Sequence, residues 1–290
     1  MPNLTHLSIP FFIVLIIIEV TVSSYIFKKE NFEFKDTFSS LTMGLGNVLV
    51  SLLTKGLTFG IYTFFYQFRF FDLESVWWVW ILLLIADDFS HYWFHRVSHF
   101  CRFFWASHVV HHSSQKFNLS TALRQTWTGN LTGTQLFYIW ILLLGFEPLW
   151  VLTMHSVNLL YQFWIHTNTI KKLPFIVEFI FNTPSHHRVH HSSEPKYLDM
   201  NLGGILIIWD RIFGTFVPED EKNPVYGLTK NINTYNPFKI AFHEWIDIVK
   251  DVKKAPSIKF AIMYIFGPPG WSHDNSRNTS SQIRNNYSKK

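Results

Sequence analysis

His108-Val109-Val110-His111-His112-Ser113-Ser114 and His187-Arg188-Val189-His190-His191-Ser192-Ser193 are two nearly identical runs in one chain. In each, a histidine is followed three and four residues later by two more, the spacing that gathers side chains on one face of an α-helix. Imidazole is the commonest metal ligand among side chains, so each run offers a patch of ligands. Just upstream, His95-Arg96-Val97-Ser98-His99 sets two further histidines four apart. The three patches supply eight imidazoles, twice what a four-coordinate zinc takes, and imidazole suits iron as well as zinc. The pattern predicts a helical site for two metal ions, with His95, His99, His108, His111, His112, His187, His190 and His191 as ligands.

Outward from these patches the chain is apolar. Its 290 residues are 48% hydrophobic, 18% aromatic and 16% charged, against roughly 25% charged in soluble domains. Residues 9–27, 41–66 and 76–95 each approach the roughly 20 apolar residues that cross a bilayer. Residues 131–165 are too long for one span, and Gly145-Phe146-Glu147-Pro148 breaks them into a hairpin that dips in and returns. The expected fold is an all-α integral membrane protein with four to five membrane-embedded helices, one hairpin among them, and a cytosolic His-rich helical cap. Residues 9–27 lack a basic n-region and a small-residue cleavage site, so they are expected as a retained helix.

Lys28, Lys29 and Lys35 follow the first span and place that loop in the cytosol. Counting spans then brings all three His patches to the cytosolic face of a multi-pass protein. The net charge of +5 fits cytosolic loops near anionic headgroups, and no basic stripe or motif points to nucleic acid. A lone Cys101 leaves no intrachain disulfide to form. Residues 1–271 are expected as a single membrane domain, and 272–290, rich in Ser, Asn and Lys, as a disordered polar tail.

Several further residues carry expectations. His166 ends the returning arm of the hairpin and is a possible ninth ligand. His155, eleven residues earlier and about 16 Å away along a helix, cannot share its metal and reads as a buried polar contact or part of a substrate channel. Asn182-Thr183-Pro184-Ser185 starts a helix on which His187, His190 and His191 share a face that His186 borders, so His186 is a possible ligand or its neighbour. Asp88 either ends a helix together with Asp87 or accepts the second N–H of a ligating imidazole at the level of His91. His91 itself stands outside the eight. His6, His243 and His273 lack partners at ligand spacing and read as structural. A zincin would need Glu where Arg96 stands, and Arg96 is expected to pair with a carboxylate or a lipid headgroup. No Gly-x-Ser-x-Gly elbow exists, so hydrolase chemistry has no support.

One His-x-x-x-His and two His-x-x-His-His motifs, in this order between hydrophobic blocks, resemble the fatty acid hydroxylase and sterol desaturase superfamily of membrane di-iron oxygenases. Within it, Tyr92-Trp93-Phe94-His95-Arg96, Asn118-Leu119-Ser120-Thr121-Ala122-Leu123-Arg124-Gln125, Tyr161-Gln162-Phe163-Trp164-Ile165-His166-Thr167 and Ile207-Ile208-Trp209-Asp210-Arg211-Ile212-Phe213-Gly214-Thr215-Phe216 are similar to the alkylglycerol monooxygenase family, over about residues 87–271. The resemblance implies two Fe ions on the eight histidines, O2 as oxidant and a membrane lipid oxidised at one C–H bond, through hydroxylation or cleavage of an alkylglycerol ether. It also implies an external reductant, a tetrahydropterin or an electron-transfer protein, and the chain has no dinucleotide fingerprint of its own. Phe100 departs from that family, which carries a glutamate there, and no further hydrophobic segment follows Trp271. The alternatives are a fatty-acyl, sterol or carotenoid hydroxylase or desaturase of the same superfamily and, in a different class, a non-catalytic membrane metal-binding protein.

Overall fold

The computed structural model describes residues 4–27, 31–220 and 224–289, so Lys28 and Lys29, on which the orientation of the first loop rests, lie outside the described residues. Its main helices are α1 (Ile9–Thr21, extended by the π-helical turn Val22–Ile26), α2 (Phe34–Tyr66), α3 (Trp77–Phe100), α4 (Arg102–His112), α5 (Pro148–Trp164), α6 (Pro184–His190), α7 (Ile208–Phe213), α8 (Pro237–Lys253), α9 (Ile258–Phe266) and α10 (Ser280–Ser288). Among the described residues, strand pairing is confined to two isolated bridges, Phe181 with Leu206 and Ser192 with Tyr226.

Two helical stretches, Ile9–Ile26 and Phe34–Tyr66, are long and apolar enough to cross a membrane. Only 6% of the apolar window of α2 is buried, so Leu45, Leu49, Leu52, Leu53 and Phe64 point outward, which is the pattern of a helix solvated by hydrocarbon. The helix begins seven residues before the expected span, because its first turns belong to the cap. There Asp36, Ser39 and Ser40 are buried, and Asp36 accepts hydrogen bonds from Ser114 at 2.5 Å and Arg124 at 3.2 Å. The first half of α3 is apolar, whereas its second half carries Asp87, Asp88, His91, His95, Arg96 and His99 inward or sideways.

The hairpin breaks where expected. Gly145 adopts φ +102°, and a Cβ there would stand 2.1 Å from the Phe71 carbonyl oxygen, so only glycine fits the turn before Pro148 opens α5. Its first arm is not one helix: it advances by short turns, Gly129–Leu131, Thr134–Tyr138 and Ile139–Leu143, interrupted at Gly133 with φ +82°. Tyr62, Val79, Leu83, Tyr138, Ile141, Leu142, Phe146, Val151 and Met154 pack where α2, α3 and the hairpin meet. Close packing of these side chains holds α3 against α2 and the hairpin as it enters the cap.

In the cap, α8 and α9 pack on α4. Arg102 at the start of α4 locks them there, donating to Glu244 and Asp251 of α8 at 2.6 Å each and to the Tyr264 carbonyl of α9 at 3.3 Å. Residues 272–290, expected as a disordered polar tail, contain the ordered helix α10. Its order comes from polar contacts rather than from apolar burial: Thr279 and Gln282 form a capping box, Arg277 donates to Asp251 at 2.8 Å, and Arg284 donates to the Leu198 carbonyl. Composition is blind to such contacts.

Candidate metal centre

Three helices and one helix end deliver the imidazoles. His95 and His99 lie one turn apart on α3, and His108, His111 and His112 end α4. His187 and His190 lie on α6, with His191 at its C-cap. Pro184 opens α6 as expected. His166 stands just beyond α5. These side chains fall into two groups, His95, His99, His108, His112 and His190 in one and His111, His166, His187 and His191 in the other. Within each group one ring nitrogen per residue lies within 4.8 Å of all the others. The groups adjoin, since the rings of His112 and His191 stack at 4.4 Å.

The nitrogens converge closely. In the first group His95 Nε2 and His108 Nε2 are 2.9 Å apart, and His108 Nε2 and His112 Nε2 are 3.0 Å apart. In the second, His166 Nε2 is 3.1 Å from His111 Nε2 and 2.9 Å from His187 Nε2, which is 3.2 Å from His191 Nε2. Nitrogens at right angles on one ion, each bound at about 2.1 Å, stand about 3 Å apart, so the spacing fits shared ions. His99 Nε2 and His190 Nε2 are buried with no hydrogen-bond partner, which leaves both atoms free to meet a cation within the first group.

The opposite ring nitrogens fix the tautomer. His95 Nδ1 meets the Leu202 carbonyl at 2.7 Å, His190 Nδ1 the Met200 carbonyl at 3.0 Å and His166 Nδ1 the Gln162 carbonyl at 2.7 Å. A carbonyl oxygen only accepts, so each Nδ1 carries the hydrogen and each Nε2 keeps its lone pair for a metal. Burial, reinforced by neighbouring imidazoles, holds His108, His112, His187, His190 and His191 well below the usual histidine range. Burial brings His111 down to about 4. The neutral imidazole is the ligand form.

The remaining sequence candidates lie elsewhere. His91 rests one turn from His95, with ring centroids 5.6 Å apart, yet belongs to neither group, and both its nitrogens are buried and unpartnered. His186 is outside both groups, its Nε2 3.0 Å from Glu178 Oε2. His155 packs against Tyr138 with Nδ1 3.8 Å from Asp87 Oδ1. Asp88 has no ligating imidazole as a partner. It accepts from the Ile205 and Leu206 N–H groups at 2.6 and 3.0 Å, from Trp209 Nε1 at 3.0 Å and from Asn158 Nδ2 at 3.1 Å, so it pins the turn that leads into α7. Arg96 forms no ion pair with a carboxylate among the described residues; it donates to Tyr92 Oη at 2.9 Å beneath the ring of Trp93. Phe100 ends α3 half-exposed. His243 bonds the Ile240 carbonyl and His273 the Tyr264 hydroxyl, both local contacts, while the His6 side chain is outside the described ones.

Sequence reasoning missed Asp199, whose Oδ1 accepts from His99 Nδ1 at 3.1 Å, and the carbonyls of Met200 and Leu202. Backbone acceptors leave no side-chain signal. Asp199 and Asn201 do carry one: both adopt left-handed φ, 57° and 55°, the region that Asp and Asn enter most readily among non-glycine residues.

Residues 80–215, which contain both groups, match the family model described as fatty acid hydroxylase. The chain is 41% identical over 278 residues to alkylglycerol monooxygenase of Homo sapiens, covering 93% of this chain and 60% of that protein. With the same coverage it is 38% identical over 274 residues to alkylglycerol monooxygenase of Xenopus tropicalis and 38% identical over 281 residues to that of Danio rerio. The chain thus spans about 60% of the length of these curated relatives. No solved structure matches it. Over residues 80–215 the chain is similar to the fatty acid hydroxylase family, and over most of its length it is similar to alkylglycerol monooxygenases.

Proposed function

We propose that this chain is an iron- and oxygen-dependent lipid monooxygenase that holds two Fe ions, one in each imidazole group. The observation that carries this reading is the pair of adjoining groups of five and four histidines, all buried except the half-buried His108 and His111. Five imidazoles exceed the four ligands of a structural zinc, whereas iron accepts both more ligands and nitrogen donors. The eight motif histidines and His166 are the ligands in this reading, and His186 and His91 are neighbours. Iron bound there would supply activation of O2, with two electrons from the reductant and two from the unactivated C–H bond, so that one oxygen enters the substrate and the other leaves as water. The protein contributes neutral imidazoles locked in one tautomer, exclusion of water through burial of the rings, and placement of one substrate carbon. Electrons come from an external reductant, a reduced pterin or an electron-transfer protein.

The outward apolar faces of α1 and α2 support a membrane lipid as substrate. The names of the relatives support an alkylglycerol as that lipid, and cleavage at its ether-bearing carbon is the reaction we propose for it. In this reading α3 and the hairpin join α1 and α2 as four to five embedded helices. Residues 1–271 act as one membrane domain, and Lys35 faces the cytosol together with the His-rich cap. Elemental analysis of the purified protein, paired with O2 consumption on alkylglycerol and labelled-oxygen product analysis, tests the whole reading. About two irons per chain with consumption of alkylglycerol is the expected result. A hydroxylated or desaturated acyl, sterol or carotenoid lipid with intact alkylglycerol overturns the substrate. Bound iron without O2 uptake on any of these lipids with reductant overturns the enzyme in favour of a metal-binding protein.

A further inference from the structure

We infer that the loop 198–202, clamped by Arg284 of α10, is a positioning device for the first imidazole group alone. The inference rests on the two-metal reading above. Three of the five histidines of that group are oriented from four consecutive residues: His99 by the Asp199 carboxylate, His190 by the Met200 carbonyl and His95 by the Leu202 carbonyl. Among the described residues, no ring nitrogen of the second group is held by this loop, whose Asn201 amide donates to the His186 backbone carbonyl of α6 at 3.2 Å; the Nδ1 of His166 is held by Gln162 within its own helical turn.

A loop with left-handed Asp199 and Asn201 keeps that shape only where its surroundings over-determine it. The downstream end is tied inside the cap. The Asn201 carboxamide accepts from the Val217 N–H at 2.9 Å and donates to the Val217 carbonyl at 2.8 Å, and the Asp210 carboxylate accepts from the Leu202 and Gly203 N–H groups at 2.7 Å each. The upstream end is tied by α10. Arg284 donates to the Leu198 carbonyl, and its Nη1 stands 3.6 Å from Asp199 Oδ2. Asp199 is therefore shared, one oxygen orienting His99 and the other facing the guanidinium. A helix more than 80 residues away in sequence thus sets the orientation of an imidazole in the first group.

Partners that orient metal-bound imidazoles typically contribute about 10–100-fold to metal affinity. The test titrates Fe(II) out of the full chain with a graded chelator, reading iron per chain and the melting of the metal-free protein. Arg284→Ala and Asp199→Gly, the latter chosen because glycine keeps the left-handed φ, are expected to release one of two irons at about 10–100-fold lower chelator. The second iron and the metal-free melting point stay at wild-type values. Asp199→Asn, whose Oδ1 still accepts from His99, restores most of the retention, and so does Arg284→Lys. Wild-type protein with two irons whose release is unchanged in these variants, or lost from both sites in step with a lower melting point, overturns the inference. Wild-type protein that holds no iron overturns the metal reading and the inference with it.

Discussion

Replacing Asp88 with Asn tests whether this carboxylate is a strut of the cap or a partner of the metal. Each oxygen of Asp88 accepts two hydrogen bonds, Oδ1 from the Ile205 N–H and Asn158 and Oδ2 from the Leu206 N–H and Trp209. An amide has one oxygen, so in either flip its NH2 faces two donors. At about 1.5–3 kcal/mol for a hydrogen bond to a charged group, two lost bonds cost about 3–6 kcal/mol. With roughly 2–4 °C of melting temperature per kcal/mol for a chain of this order of size, the expected drop is at least about 6 °C. Circular dichroism melts in detergent measure it, and iron per chain in the folded fraction is expected to stay at the wild-type value, because Asp88 touches none of the nine grouped imidazoles. A variant that melts with wild type yet loses iron would refute the reasoning and return Asp88 to the metal.

The remaining expectations are shorter. His112→Ala should lower retention of the first ion and His111→Ala that of the second, each with loss of activity, whereas His273→Ala leaves metal content unchanged; chelator titration distinguishes the two releases. Gly204→Ala should lower the melting point, since its Cβ would sit 2.7 Å from both Asp88 Oδ1 and Asn158 Oδ1 and 2.8 Å from His91 Cδ2, an overpacking cost of about 1–3 kcal/mol. Burial opposes ionisation of Glu178, but hydrogen bonds from His186, Ser185 and the Leu173 N–H prevail and hold it down to about 2. Its stabilising contribution is then complete above the ordinary carboxylate range near 4.3 and is lost as pH falls toward 2. Glu178→Gln should therefore melt below wild type at neutral pH, and the gap should narrow below about pH 4.

What the sequence made legible follows from distance along the chain. The eight motif histidines could be read because each patch is a matter of three or four residues on one helix, where covalent spacing fixes geometry. The hairpin could be read because Gly145 and Pro148 are local punctuation. Asp88 could not, because its partners come from positions 158, 205, 206 and 209 and only the folded cap brings them together. For Arg96 charge suggests a carboxylate or a headgroup, and within the cap its neighbours are a tyrosine hydroxyl and an indole face rather than a carboxylate. The order in α10 escaped for the same reason as Asp88: its contacts run to Leu198 and Asp251, and its own composition contains nothing that announces them.

The division of the histidines into two groups explains why the same motif occurs twice. At about 100° per residue, positions i and i+4 of a helix differ by about 40°, while i+3 lies about 60° to the other side. His-x-x-His-His therefore presents two imidazoles in one direction and a third across a gap of about 100° from the second. On α4 the close pair, His108 and His112, serves the first group and His111 the second. On α6 the close pair, His187 and His191, serves the second group and His190 the first. The two copies are used with opposite polarity, so each helix straddles both groups and neither group can form without both helices. The His-x-x-x-His pair on α3 adds two imidazoles to the first group, and His166 adds one to the second. Displacing α3 therefore affects one group directly, whereas displacing α4 or α6 dismantles both, because neither of those helices is committed to only one group.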